Sequence, residues 1–318
     1  MSALRPAVLR WLLDGDPAIR WQVLRDLSGA PPEEVAAERA RVAVEGWGAA
    51  LLARQAPTGQ WGEADDEGWM TTVEALQLMT DLGVDPAGEP ARRAVGLVAE
   101  RIAWWQLDGG PFFDGETEPC INGRILAAGA TYGVMSEALV ERLLGEQLSD
   151  GGWNCDAPPS RRASFHSTIC VLEGLLAVEE ARGADPALSD ARRKGEDYLL
   201  NRHLLRALST GELIDRRWRR FAFPVTWRYD ALRALDYLRR AGVRPDERVH
   251  EAIAVVRARR HQNGRWPMNR VLPDRVGLVI EPAVGRASRW NTLRALRVLA
   301  WHEGFEAPTP SESGRASA

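Results

Sequence analysis

Residues Gln147–Asp156 read QLSDGGWNCD. Gly151 and Gly152 offer backbone angles that side-chain-bearing residues resist, and Trp153 brings a ring large enough to plug a gap between helices. Such a turn holds a fold together, whereas Cys155, two residues on, needs a chemical explanation of its own. The stretch belongs to a series. RQAPTGQWG (Arg54–Gly62), WQLDGGPFF (Trp105–Phe113) and RHQNGRWPM (Arg260–Met268) repeat the glycine before an aromatic or proline, and LRALSTGELID around Gly211 is a degenerate copy. Successive copies lie roughly 40 to 60 residues apart, a period that fits helix, turn, second helix and return loop. Repetition at Trp61, Phe112 and Trp266 argues for architecture rather than chemistry.

Between the turns, apolar residues recur at the 3.6-residue period. The spacing predicts helices over Ala3–Leu13, Pro17–Leu27, Pro32–Arg54, Trp69–Leu82, Pro90–Trp105 and Cys120–Tyr132, then Ser136–Gln147, Ser164–Arg182, Ala187–Ala207, Thr226–Ala241, Pro245–His261 and Ser288–His302. Pro and Gly fall mostly between these segments, where helices start and stop. Strand-like alternation is nearly absent. The fold class expected is all-α, an α/α toroid of about six helical hairpins whose alternate helices line an inner ring. It should occupy residues 1–304 as one domain, and the Ser/Pro/Ala-rich stretch 305–318 reads as a disordered tail.

Composition narrows the function. Forty-one Lys plus Arg against 44 Asp plus Glu leave no global basic field for nucleic acid or an anionic membrane. No apolar run approaches the roughly 20 residues that span a bilayer. The apolar stretch near the N-terminus is interrupted by Arg10 and lacks a small-residue cleavage site, so a cytoplasmic location is expected. Three cysteines, Cys120, Cys155 and Cys170, are too few and odd in number for a disulfide framework, which leaves reduced thiols able to bind metal.

The Q-x-x-D-G-G-W of Gln147–Trp153 resembles the turn repeat of squalene and oxidosqualene cyclases, and SRRASFHSTICVLEGL (Ser160–Leu175) is similar to the zinc-histidine region of protein prenyltransferase β subunits. Both families use the α/α toroid, which the resemblance therefore implies here. It also implies catalytic zinc, held in prenyltransferases by an Asp-x-Cys pair at the head of one inner helix and a His at the head of the next. Glu118-Pro119-Cys120 and His166 stand at the matching places, with Glu118 replacing the aspartate. Prenyltransferases also require a helical partner subunit, which nothing in this chain encodes.

Internal alignment supports the same pairing. When Glu74-Ala75-Leu76, Arg233-Ala234-Leu235 and Arg294-Ala295-Leu296 are superposed, Met70, Cys120, His166, Tyr229 and Trp290 share one ring position. A thiolate and an imidazole on adjacent repeats can then converge on Zn²⁺ at about 2.0 to 2.3 Å. Cys155 is a third candidate ligand and Glu118 or water a fourth; Cys170 reads as a small buried hydrophobe. The aspartate-rich acid motif of class II terpene cyclases is absent. Its nearest substitute, Ala64-Asp65-Asp66-Glu67, reads as a helix cap or solvent-facing run.

Trp69, Trp227, Tyr229 and Trp290 near inner-helix starts suggest a central aromatic cavity for a hydrophobic or isoprenoid substrate, or else each of these rings simply fills the core. Arg228, Arg289 and Asn291 are candidate contacts at its rim, with Asp230 and Tyr229 as candidate proton-handling groups; the same residues serve as caps if the helix starts bury them with partners. The basic run Arg216–Arg220 is a candidate anion site or a solvated loop paired with Asp215. The leading reading is a stand-alone zinc enzyme like the terpene cyclases and prenyltransferases. Two others stay open: a non-catalytic toroid that binds lipid or peptide around a structural metal, and a metal-free polysaccharide-active barrel using carboxylates such as Glu74 and Asp230.

Overall fold

The structure, a computed structural model, describes residues 5–62, 68–104, 107–272, 275–281 and 283–306. The acidic run Ala64–Glu67, Trp105 and the tail from residue 307 onward lie outside the described residues. The rest is mostly helical, with 13 α-helices. The element order is α1 (Pro6–Leu13), α2 (Pro17–Val23), α3 (Pro32–Ala40), α4 (Gly46–Leu52), α5 (Gly68–Leu82), α6 (Glu89–Arg101), α7 (Pro119–Tyr132), α8 (Glu137–Gly145), α9 (Phe165–Arg182), α10 (Pro186–Leu200), α11 (Ala231–Arg240), α12 (His250–Ala258) and α13 (Arg289–Glu306). Among the described residues, no helix is long and apolar enough to cross a membrane.

Several helices stop earlier than the periodicity predicts. The expected Pro32–Arg54 helix breaks into α3 and α4 because Gly46 takes φ +61° and Asp16 receives the Trp47 N–H at 2.8 Å there. After α6 the chain forms a short hairpin, β1 (Ala103–Trp104) with β2 (Gly110–Pro111), in place of the last helical turn expected before Trp105. α10 ends at Leu200 rather than Ala207, because His203 and Leu204 adopt positive φ. α11 begins at Ala231 rather than Thr226, since Asp230 caps it.

The Gly-Trp turns share one clasp. Trp61, Trp153 and Trp266 are fully buried, and their indole N–H groups reach the carbonyls of Leu51, Leu143 and Val256 at 2.8, 2.7 and 2.7 Å. Their backbone N–H groups donate to Thr72, Thr168 and Thr292, each on the next helix of the series α5, α9 and α13. Gln55 and Gln147 add a second tie, each donating to the turn and to a helix carbonyl, that of Ala94 on α6 and of Ala191 on α10. At Gly151 a Cβ would stand 2.5 Å from the Lys194 carbonyl of α10, so the turn packs backbone against backbone.

These clasps order the long helices side by side. α5 packs on α7, α7 on α9, α11 on α13, and α13 returns to α2. α7 and α9 approach most closely, through two glycines: a Cβ on Gly123 would strike the Cys170 carbonyl, and one on Gly174 would lie 2.5 Å from the Gly123 carbonyl. A cavity of about 770 Å³ opens among α2, α5, α7, α9, α11 and α13, running from mid-helix residues such as Arg124 and Glu173 toward the C-terminal ends of α5, α9 and α11.

Candidate functional site

The N-terminal ends of α7 and α9 bring together Glu118, Cys120 and Cys155, whose ligand atoms all lie within 4.8 Å of one another. Each is placed by local structure. Before α7, Gly115 turns at φ +80° against Asn122, whose side chain receives the Glu116 N–H at 2.7 Å and donates to the Glu116 carbonyl at 2.8 Å. The Glu116 carboxylate then receives the Glu118 N–H at 2.6 Å. This knot aims Glu118 and Cys120 the same way, and Cys120 Sγ lies 3.6 Å from Glu118 Oε2. From the other side, the Trp153 clasp delivers Cys155 to α9, where its N–H and its Sγ each lie 3.3 Å from Ser167 Oγ.

Two thiols and a carboxylate form a donor set suited to zinc. Bond lengths of about 2.3 Å to sulfur and 2.1 Å to oxygen at a tetrahedral angle set sulfur and oxygen about 3.6 Å apart. The Cys120–Glu118 separation matches that edge. Without a cation the thiols share their protons unevenly: the contact with Cys155, together with burial, pushes Cys120 up, while the contact with Cys120 and the Ser167 hydroxyl lowers Cys155. Cys155 is therefore the first to ionise. It is also half-buried, where Cys120 is buried.

His166 stands apart from this group, which corrects its assignment as a ligand. Its Nδ1 accepts the Tyr229 N–H at 2.8 Å, so the neutral ring keeps its proton on Nε2 and offers no free lone pair to a metal. Burial and the nearby Arg233 and Arg228 guanidiniums push it down to about 4 and hold it neutral. Its ring sits edge-on to Trp218 and Trp227.

The proton-handling and rim candidates are engaged in the fold. Asp230, 5% exposed, accepts the Arg233 N–H at 2.9 Å as the N-cap of α11, and the buried Tyr229 hydroxyl donates to the Leu204 carbonyl at 2.7 Å. Both are structural in this arrangement rather than free acids. Asp230, named with Glu74 as a possible carboxylate pair, is thus engaged as a helix cap. Asn291 donates to the carbonyls of Phe221 and Pro267, Trp290 stacks on Phe223 at 4.0 Å, and Arg289 donates to the Trp11 carbonyl and covers the Trp11 ring. Trp69 packs edge-on against Trp104 at 5.2 Å. Trp227 is the exposed exception, at 37%, with Arg228 over its face.

Cys170 is buried and its Sγ contacts the Trp227 carbonyl, as a packed small side chain does. The Arg216–Arg220 run forms a short 3₁₀ turn beginning at Asp215, which receives the Arg217 N–H and its guanidinium; Trp218 is buried against Phe165 and Tyr229. Glu116, Asn122 and Ser167 went unnoticed in the sequence. Asn122 and Ser167 each stand within two residues of a candidate ligand, and no spacing rule marks them. No protein-family model and no curated protein matches this chain.

Proposed function

We propose that the protein is a zinc-binding enzyme on a closed α/α toroid, with Glu118, Cys120 and Cys155 holding the metal and a hydrophobic or isoprenoid compound as the class of substrate its resemblance to cyclases and prenyltransferases implies. The observation that carries this reading is the convergence of two thiols and a carboxylate from two separate chain segments. The return of α13 onto α2 supports the closed ring. Bound zinc with three protein ligands would supply an open coordination position that polarises a substrate or lowers the pKa of a bound thiol or water. Around it, Ser167 orients Cys155 and Glu116 fixes Glu118 through its backbone.

Elemental analysis of the purified, reduced chain tests the proposal. One zinc per chain is expected, lost in Cys120→Ser and Cys155→Ser, weakened in Glu118→Gln and retained in His166→Ala. A folded wild-type chain that stays metal-free after zinc loading and desalting overturns it.

A further inference from the structure

The large cavity lies toward the opposite, C-terminal ends of the helices that begin beside the thiols, and its walls set a dense array of charges among the rings of Trp21, Phe223, Tyr237 and Trp290. Eight arginines face five carboxylates there, a surplus of three positive charges. We propose that this cavity binds a small, multiply charged oxyanion, a phosphate- or polycarboxylate-bearing compound, with Arg124 and Arg297 as its buried contacts.

Carboxylates account for most of the other arginines. Arg233 grips Glu173 with two N–H bonds of 2.8 and 2.5 Å, Arg240 pairs with Glu180, and Arg239 holds Asp236 at 2.8 Å. Arg124 has no such partner. It is 3% exposed; its Nε donates to Gln77 at 2.5 Å, one terminal nitrogen reaches only the Met70 sulfur at 4.0 Å, and the other meets no acceptor among the described residues. Arg297 is 7% exposed; one terminal nitrogen serves both Gln22 and Asp26 at 2.6 Å, and its Nε is without an acceptor among the described residues. Asp26 is already engaged by Arg25.

A buried, charged N–H left without an acceptor carries the full cost of its lost hydration. Two of them lining one cavity mark the place of an acceptor that the protein does not itself provide. Burial lowers Arg124 and takes Arg297 down to about 10, and a bound anion would reverse both shifts. Helix dipoles offset part of the charge surplus, roughly half a charge at each bare C-terminus. Arg239 and Arg240, in the last turn of α11, answer that field. Arg124 and Arg297 sit mid-helix in α7 and α13, where it has faded. The volume falls within the range of about 300 to 1,000 Å³ typical of small-molecule sites, and planar guanidinium forks suit phosphate and carboxylate edges.

Calorimetric titration of the full chain at low ionic strength with inorganic phosphate, tripolyphosphate and citrate tests the site. Saturable one-to-one binding of at least one probe is expected, weakened tenfold or more in both Arg124→Gln and Arg297→Gln, and unchanged when Arg216 and Arg217 on the outer surface are both replaced by Gln. Preference for tripolyphosphate assigns a phosphorylated ligand, and preference for citrate a polycarboxylate. If Arg124→Gln does not fold, Arg124→Lys keeps the charge but removes the fork and should weaken binding in the same direction. No saturable binding of any probe, or binding that survives in folded Arg124 and Arg297 variants, overturns the proposal.

Discussion

Trp153 joins two helices with two hydrogen bonds, from its indole to Leu143 on α8 and from its backbone to Thr168 on α9. The turn in QLSDGGWNCD therefore holds the fold and also carries Cys155 to its neighbours, which answers why a thiol follows the Gly-Gly-Trp. Trp153→Phe keeps most of the ring but leaves the Leu143 carbonyl unpaired, so a loss of about 1 to 2 kcal/mol is expected in denaturant unfolding, with weaker zinc retention as Cys155 shifts. Asp230→Ala should cost about 1 kcal/mol through loss of the α11 cap; a catalytic role would instead remove turnover without touching stability. The residue types of the Glu118–Cys120–Cys155 cluster were legible in the sequence, as was the proximity of Cys120 to Cys155. The histidine was not, because the backbone N–H that occupies its Nδ1 belongs to Tyr229, 63 residues away.

α7 and α9 meet through Gly123 and Gly174, and this contact sets how far apart the chain segments carrying Cys120 and Ser167 stand. Gly123→Ala pushes a methyl into the Cys170 carbonyl, and overpacking of this kind costs about 1 to 3 kcal/mol. Thermal unfolding should show the loss, and zinc affinity should fall with it although no ligand is changed. Helices α5, α7, α8 and α9 were legible to within a residue or two from the apolar period, since their buried faces are long and continuous. Breaks such as the one at Gly46 were not, because Asp16, the side chain that stabilises it, lies on a different helix hairpin in the sequence. The same holds for the early end of α10, where His203 and Leu204 take positive φ and bond back to the carbonyls of Leu200 and Leu199 with no glycine to mark the stop.

Charge at the centre of the molecule was the least legible feature. Arg124, Arg233, Arg294 and Arg297 are scattered singly through helical stretches, so a reading by composition or motif gives no sign that they converge; of the expected cavity aromatics Trp290 does line the cavity, and eight arginines line it as well. Asp81 shares that cavity; one of its carboxylate oxygens is buried without a partner among the described residues. Burial and the nearby Glu173 outweigh Arg233, Arg294 and Arg240, which raises it from 3.8 to about 7. Between about pH 4 and 7 the folded chain then keeps a proton that the unfolded chain has released, so this group makes stability fall as pH rises through that window. Asp81→Asn should raise the melting temperature at pH 8 and change it little at pH 4, with a gain of up to about 4 kcal/mol, at 1.36 per pKa unit, reduced by water in the cavity. The three tryptophan clasps close over very different lengths of chain, the threonine following its tryptophan by 11, 15 and 26 positions. Loop length at those clasps is thus mechanically decoupled from the helices: segments can be lengthened or exchanged there while the helices keep their packing, so new specificities can be grafted onto them without rebuilding the scaffold.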